Sequence, residues 1–393
     1  MKEKTHDSVA ILGSGESGMG AALLAKSKGI DVFLSDSGTI QEAKKIELSQ
    51  LGIPFEENGH SLHVLVGYSE IIKSPGIAEK TKIVQELRAN GTLIISEIEF
   101  ASRYTTAKLI AITGSNGKTT TTLLTYHLLK SAGLDVGIAG NIGNSLARLI
   151  LKNDFDIIVL ELSSFQLDGM YEFRADTSLL LNITPDHLDR YNYDISEYAD
   201  SKLRIIQNQK KGDHFIFNTD DFLISDKLRG KNIEVDQLRF SLKSKIEKGA
   251  TLNTDRLEIR TEQASFSIPI SAIPLIGKHN LYNTMAAVLA VVQYGVSENQ
   301  ITEGLRSFRN APHRLEYVEE IDGVKFINDS KATNVDSVFY ALDGMDRDVI
   351  WIAGGVNKGN DYNAISALVK EKVAALICLG VHNAHLIDAF EKD

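Results

Sequence analysis

Thr113-Gly114-Ser115-Asn116-Gly117-Lys118-Thr119-Thr120 follows an apolar run, KLIAIT, and opens a helical pattern. Glycines at this spacing let backbone amides wrap phosphate oxygens, an ammonium at Lys118 neutralises the β and γ phosphates, and a hydroxyl at Thr119 can ligate Mg2+. Ile112 stands where the strict GxxxxGK[ST] pattern has its first glycine. The strand-loop-helix setting still predicts an ATP loop made of Gly114, Ser115, Asn116, Gly117, Lys118, Thr119 and Thr120, rather than a capped helix without a ligand.

A second turn, Gly13-Ser14-Gly15-Glu16-Ser17-Gly18, lies between SVAIL and a helical pattern, with Asp36 at the end of the next apolar run. Glycines there let backbone approach a pyrophosphate at a helix N-terminus while the acid bonds a sugar hydroxyl. The pattern predicts a bound nucleotide, NAD by default, with a ligand-free tight turn as the alternative. Other polar residues close apolar runs: Asn141 after DVGIAG, Glu161 and Ser163 after DIIVL, and Asp186-His187 after SLLLNITP. Strand carboxyl ends are where open α/β sheets bind ligands, and a lone carboxylate such as Glu161 suits Mg2+. Taken singly, Glu161 reads equally as a helix cap and His187 as a hydrogen-bonded loop histidine. Beside the phosphate loop they predict a metal-nucleotide reaction site.

The elements that must position these groups follow from the rest of the chain. Its 393 residues suggest two or three domains at roughly 150 residues each. Gly 30, Pro 6 and a charged fraction of 24% exclude collagen, coiled coil and disordered tail. Cys378 stands alone, which excludes an internal disulfide and cysteine-rich zinc sites and fits a reducing compartment. The opening MKEKTHDSVA lacks a signal-peptide stretch, and no window approaches the roughly 18 apolar residues of a membrane span, so a cytoplasmic monomer without membrane partners is expected. A net charge of -10 and the lack of a Lys/Arg block argue against nucleic acid. The pairs Lys44-Lys45 and Lys210-Lys211 read as solvated helix positions.

SVAIL, DVFLS, HVLVG, EIIKS and TLIIS alternate with helical stretches in the rhythm of a parallel sheet with crossover helices. The pattern restarts at KLIAIT and continues through DVGIAG, DIIVLEL, TSLLLNI and HFIFN, with ISEYADSKLRIIQNQ a helix between the last two. Between about residues 235 and 270 the spacing becomes hairpin-like, and HNLYNTMAAVLAVVQ reads as an amphipathic helix. A third restart brings VKFIND, RDVIWIAGG and KVAALICLG. Three α/β units are expected: 1–97, 98–310 and 311–393.

TGSNGKTT, GNIG, ELSSFQL, NITPDHLDRY, YADSKLRI, GKHNLYN, PHRLE, INDSKATN and GGVNKG, in this order over nearly the whole chain, resemble the Mur ligase family. ELSSFQL and NDSKATN are most similar to its branch that adds D-glutamate to UDP-N-acetylmuramoyl-L-alanine in peptidoglycan synthesis. The resemblance implies a Rossmann-like first domain holding UDP instead of NAD, a P-loop ATPase-like central domain and a Rossmann-like third domain. It implies ATP, two Mg2+ sites and an acyl-phosphate intermediate. Lys118 would hold phosphates. Thr119, Glu161, His187 and a carbamylated Lys202 would ligate metal; without the resemblance Lys202 reads as an exposed helix lysine.

By the same resemblance Asn280 and Asn283 contact adenine, Arg314 phosphate and Asp329 ribose; an N-cap and a polar helix face are the plain alternative for the asparagines. Lys331 and Thr333 meet D-glutamate or phosphate, with Lys331 counted among the catalytic set, and Lys358 meets the glutamate carboxylate. Glu16, Ser17, Asp36, Ser37, Ser74, Gly76, Asn141 and Ser163 match the UDP-substrate contacts. The third unit has 82 residues from Pro312 onward, whereas the resemblance implies further strands plus a serine and a phenylalanine of the glutamate pocket. With its third domain shortened, the chain is expected to bind the UDP substrate and, more weakly, ATP, but to ligate D-glutamate poorly or not at all, and to expose apolar surface at the interrupted sheet. The competing classes are an NAD-dependent dehydrogenase, which leaves TGSNGKTT without a task, a folylpolyglutamate synthase-like ligase, which lacks the first domain, and a non-catalytic binding protein.

Overall fold

The computed structural model describes residues 8–275, 277–355, 361–381 and 383–391. The first sheet is wholly parallel, in the order Phe55–Glu56, Asp31–Ser35, Ser8–Leu12, Glu70–Lys73, Leu93–Ser96. The chain winds outward on one side of Ser8–Leu12 and then crosses to the other, so strand order reverses between Ser8–Leu12 and Glu70–Lys73. Such a reversal leaves a crevice at the strand carboxyl ends, and both glycine-turn and Asp36 open into it. HVLVG is not a strand: Leu62–Leu65 forms one helical turn, since a short apolar run suits either state and the strand Phe55–Glu56 already holds that sheet edge.

The central sheet has nine strands, with Lys108–Thr113 set between Ile157–Glu161 and Thr177–Leu180. Its far end turns antiparallel through Gly249–Asn253, Arg256–Arg260 and Ser265–Pro269, matching the expected hairpins. The helix Lys278–Val292 is buried at every position from Asn283 to Val292. It is therefore not amphipathic, because it packs on both the sheet and the helix Lys118–Ser131. The helix expected over ISEYADSKLRIIQNQ stops at Leu203 and passes into a 3-10 turn. Val9, Ile11 and Met19 share one core cluster with Leu146, Leu160 and Met170, so packing runs unbroken past residue 97.

The third unit holds an antiparallel pair, Glu316–Ile321 with Val324–Asn328, and a parallel pair, Val349–Gly354 with Val373–Leu379. Val349, Trp351 and Ala353 pack on the helices Asn363–Lys372 and Ala384–Phe390, while Ile350, Ile352, Ile377 and Leu379 on the opposite face are exposed. Parallel sheets normally cover both faces, so this is the exposed apolar surface that was expected. Among the described residues no helix is long and apolar enough to cross a membrane.

Candidate active site

Three strand ends converge on the phosphate loop. Gly117 adopts φ 83° and its missing Cβ would lie 2.3 Å from Asn283 Oδ1, so backbone conformation and space both demand glycine. Lys118 Nζ donates to the carbonyls of Gly114 and Ser115, each at 2.8 Å. Burial lowers the Lys118 pKa, opposed by Glu161 and Asp186. Asn182 brackets the loop from the neighbouring strand end: Asn116 N donates to its Oδ1 at 2.8 Å and its Nδ2 donates to Asn116 O at 3.0 Å. Sequence reasoning passed over Asn182, although it too is a polar residue just beyond a strand.

Glu161 is 1% exposed; Oε1 accepts from Asn141 Nδ2 at 2.7 Å, and Oε2 is buried with no hydrogen-bond partner. The helix-cap reading of Glu161 fails, because Ser163 fills that role: its hydroxyl accepts from Gln166 N while Gln166 Oε1 accepts from Ser163 N. A buried carboxylate oxygen without a donor is costly unless a cation meets it, so Glu161 Oε2 fits Mg2+. Thr119 Oγ1, the second expected ligand, accepts from Arg314 Nη2 at 2.9 Å and remains an oxygen donor suited to the ion. His187 takes left-handed backbone, φ 52°, with a half-exposed ring on the edge of Phe165 and Nε2 3.7 Å from Asp186. No hydrogen bond or ion pair joins it to Glu161 or Lys202, and among the described residues no three His, Cys, Asp or Glu side chains cluster to hold a metal. Glu161 thus lies beside the Lys118 loop, while His187 sits on the loop after the strand Thr177–Leu180, against Phe165 and Asp186.

Lys202 is 1% exposed, which overturns the solvated-lysine reading. The helix Ile195–Leu203 packs against Ser164–Leu167, with Ser201 Oγ donating to Ser164 O at 3.1 Å, and this turns Lys202 inward. Its Nζ donates to Gly114 O at 2.8 Å and lies 4.5 Å above the Tyr198 ring. Lys118 and Lys202 therefore share one carbonyl. Burial first, and the Lys118 charge second, hold the Lys202 pKa well below that of an ordinary lysine.

A cleft between the central sheet and the third unit is lined by Gly117, Asn280, Asn283, Arg314, Asp329 and Tyr340. Asn283 Nδ2 donates to Asn280 Oδ1 at 3.0 Å, and both residues are buried inside the helix rather than on a polar face. The neighbouring His279 ring lies 5.2 Å from Tyr340; burial pushes its pKa down to about 4, leaving it neutral with Nδ1 buried and unpartnered. Asp329 Oδ1 accepts from Leu315 N at 3.0 Å. Lys331 and Thr333 are exposed on the turn before the helix Val335–Asp343. Lys358 lies outside the described residues.

In the first unit Asp36 accepts from Ser14 N at 2.6 Å and Gly38 N at 2.8 Å, and Ser74 Oγ lies 3.5 Å from Gly13 O. Ser37 and Gly76 lie on the adjoining turns, and Ser17 in the first turn of the helix Glu16–Ser27. Glu16 faces elsewhere: it accepts from Ser145 N at 3.2 Å and Arg148 Nε at 3.1 Å, bridging to the helix Leu146–Lys152. Lys44 is not a solvated lysine, since its Nζ donates to Ser14 O at 2.7 Å; Lys45 pairs with Glu57 at 3.2 Å.

Comparison with known proteins matches residues 8–83 to the MurD N-terminal domain, 112–291 to the Mur ligase middle domain and 313–393 to the Mur ligase glutamate ligase domain. The chain is 51% identical over 385 residues to UDP-N-acetylmuramoylalanine--D-glutamate ligase of Cytophaga hutchinsonii, covering 97% of this chain and 86% of that one. It is 48% identical to the ligase of the same name from Bacteroides fragilis, covering 98% and 86%. Among solved structures, UDP-N-acetylmuramate-alanine ligase MurC of Thermotoga maritima superposes with TM-score 0.61 at 19% identity, over 98% of this chain and 88% of that one. MurF of Acinetobacter baumannii gives TM-score 0.61 at 18% identity, over 79% and 77%. These two share the fold.

Proposed function

The chain belongs to the Mur ligase family, and from that premise we propose that it joins D-glutamate to UDP-N-acetylmuramoyl-L-alanine at the expense of ATP, in peptidoglycan synthesis. The observation that carries the reaction site is the buried, unpartnered Glu161 Oε2 beside the Lys118 loop. In this reading the first unit's crevice, with Asp36, Ser74 and the Gly13–Gly18 turn, holds the UDP end, and the cleft lined by Asn280, Asn283, Arg314 and Asp329 holds ATP. The units 1–97, 98–310 and 311–393 then correspond to the UDP, ATP and glutamate parts of the task. A reaction fed by ATP and a UDP-sugar is assigned to the cytoplasm.

A free carboxylate is a poor electrophile, so the alanyl carboxylate first attacks the γ-phosphorus of ATP; the new O–P bond forms as the bond to ADP breaks. The D-glutamate amine then attacks the acyl carbon, an amide forms, phosphate leaves and the amine gives up a proton. Lys118 neutralises charge that develops on the transferring oxygens, and the loop amides orient them. Glu161 and Thr119 would hold Mg2+, which supplies further charge neutralisation when bound. Arg314, now on the Thr119 hydroxyl, is within the same cleft to meet phosphate, and Lys331, Thr333 and Lys358 are assigned to D-glutamate.

Lys202 is assigned as a carbamate. Its buried, weakly basic amine favours the neutral form that attacks CO2, forming an N–C bond and releasing a proton, and so converts a cation into an oxygen ligand. With His187 it is assigned to a second Mg2+. The decisive experiment follows ADP and phosphate release with each substrate omitted in turn. Turnover that requires UDP-N-acetylmuramoyl-L-alanine, D-glutamate and Mg2+ together is expected; release indifferent to the UDP substrate would overturn the reading.

A further inference from the structure

Arg314, Asn334 and Ser337 reach the phosphate loop from the third unit. Asn334 Nδ2 and Ser337 Oγ both donate to Asn116 Oδ1, each at 3.1 Å, and Arg314 Nη2 donates to Thr119. The orientation of the Asn334 amide is set by chemistry: its Oδ1 caps the helix Val335–Asp343 by accepting from Ser337 N at 2.8 Å, so only its NH2 can face Asn116. The same helix touches the other end of the cleft, with Tyr340 against His279 and Asp343 Oδ2 3.6 Å from Lys278 Nζ. One helix thus spans the cleft from phosphate loop to asparagine pair. The turn immediately before it carries Lys331 and Thr333.

We infer that Asn334 and Ser337 are positioning residues: by gripping the side chain of Asn116 they dock the third unit on the phosphate loop and thereby place the Lys331–Thr333 turn over the acyl-phosphate end of the cleft. This rests on the proposed ligase function. Neither residue needs to touch a substrate. Asn116, expected from sequence only as a phosphate contact, is in this view the receptor of the docking helix as well, since its side-chain oxygen takes two donors from across the cleft while its backbone amide serves Asn182.

The test is the double variant Asn334→Ser/Ser337→Ala, with Asn334→Ser alone as its milder form. Serine keeps the helix cap but is too short to reach Asn116, so the helix survives while the grip is lost. The expected result is an increase of roughly tenfold in the KM for D-glutamate, the size of one or two lost hydrogen bonds, with the Kd for ATP measured by calorimetry unchanged. An unchanged D-glutamate KM would overturn the inference, and so would an equal loss of ATP affinity, which would make these residues nucleotide contacts. If the parent chain consumes no D-glutamate the functional reading fails instead; energy transfer between fluorophores at Glu298 and Glu319 then decides the docking contact alone, falling in the double variant if the grip is real and holding constant if it is not.

Discussion

Replacing Glu161 by glutamine changes one atom and one charge. The glutamine carbonyl keeps the 2.7 Å bond from Asn141 Nδ2, and its NH2 lands where Oε2 now lies buried without a partner. The folded state therefore exchanges one unsatisfied polar atom for another. It also loses attraction to Lys118 while escaping the desolvation of a buried carboxylate, two effects of opposite sign. Stability is expected to change by no more than about 1 kcal/mol. Catalysis should respond quite differently, because an ion ligand acts where phosphoryl charge develops; losing one such stabilising group removes about 3 to 4 kcal/mol, a fall of about 10²- to 10³-fold in kcat. Coupled ADP release at saturating substrates gives the change in kcat, and urea unfolding gives the change in stability. A kcat within threefold of the parent would refute the metal-ligand assignment, and an unfolding loss above about 3 kcal/mol would show the carboxylate to be structural.

Gly117→Ala forces a side chain into left-handed backbone, at about 1–2 kcal/mol, and drives its Cβ against Asn283; a rise of at least tenfold in the ATP Kd with intact UDP-substrate affinity is expected, and normal ATP binding would contradict the glycine argument. Burial lifts Glu97, whose Oε1 accepts from Ala147 N, to about 8, against about 4.3 in an unfolded chain. Between those values the folded protein keeps a proton that the unfolded chain has lost, so stability falls as pH rises through that window. Glu97→Gln should flatten this decline and be relatively more stable at about pH 8 than at about pH 5; the same Tm offset at both would count against it. Lys202→Ala should lose turnover and regain part of it with added acetate or formate if a missing anionic ligand is the cause; an unimpaired variant would end the carbamate assignment.

The sequence was sufficient wherever the signal is local. Strand, glycine loop and helix are contiguous in KLIAITGSNGKTT and in SVAILGSGESG, so spacing alone reveals both strand-to-helix glycine turns and the parallel rhythm around them. The apolar run in RDVIWIAGG likewise foretold a strand, and Asn141 and Glu161 were visible as polar residues just past apolar runs. Short runs carried less: HVLVG has no period to separate strand from helix, and only its neighbours decided for a helical turn.

Tertiary structure decided everything that depends on what lies across a gap of many residues. Lys202 looks like any helix lysine until the helix packs on Ser164–Leu167 and aims its amine at Gly114, 88 residues away in sequence. Glu16 belongs to a nucleotide-type turn yet points to Ser145 and Arg148, because the first two units share a core. Lys44 reaches back to Ser14, and Asn334 crosses 218 positions to Asn116. Backbone preferences act over one turn or one pleat, so they write themselves into neighbouring letters. Burial, charge pairing and the direction of a side chain arise only when distant segments meet, and those are the quantities that turn the residues of this chain into a reaction site.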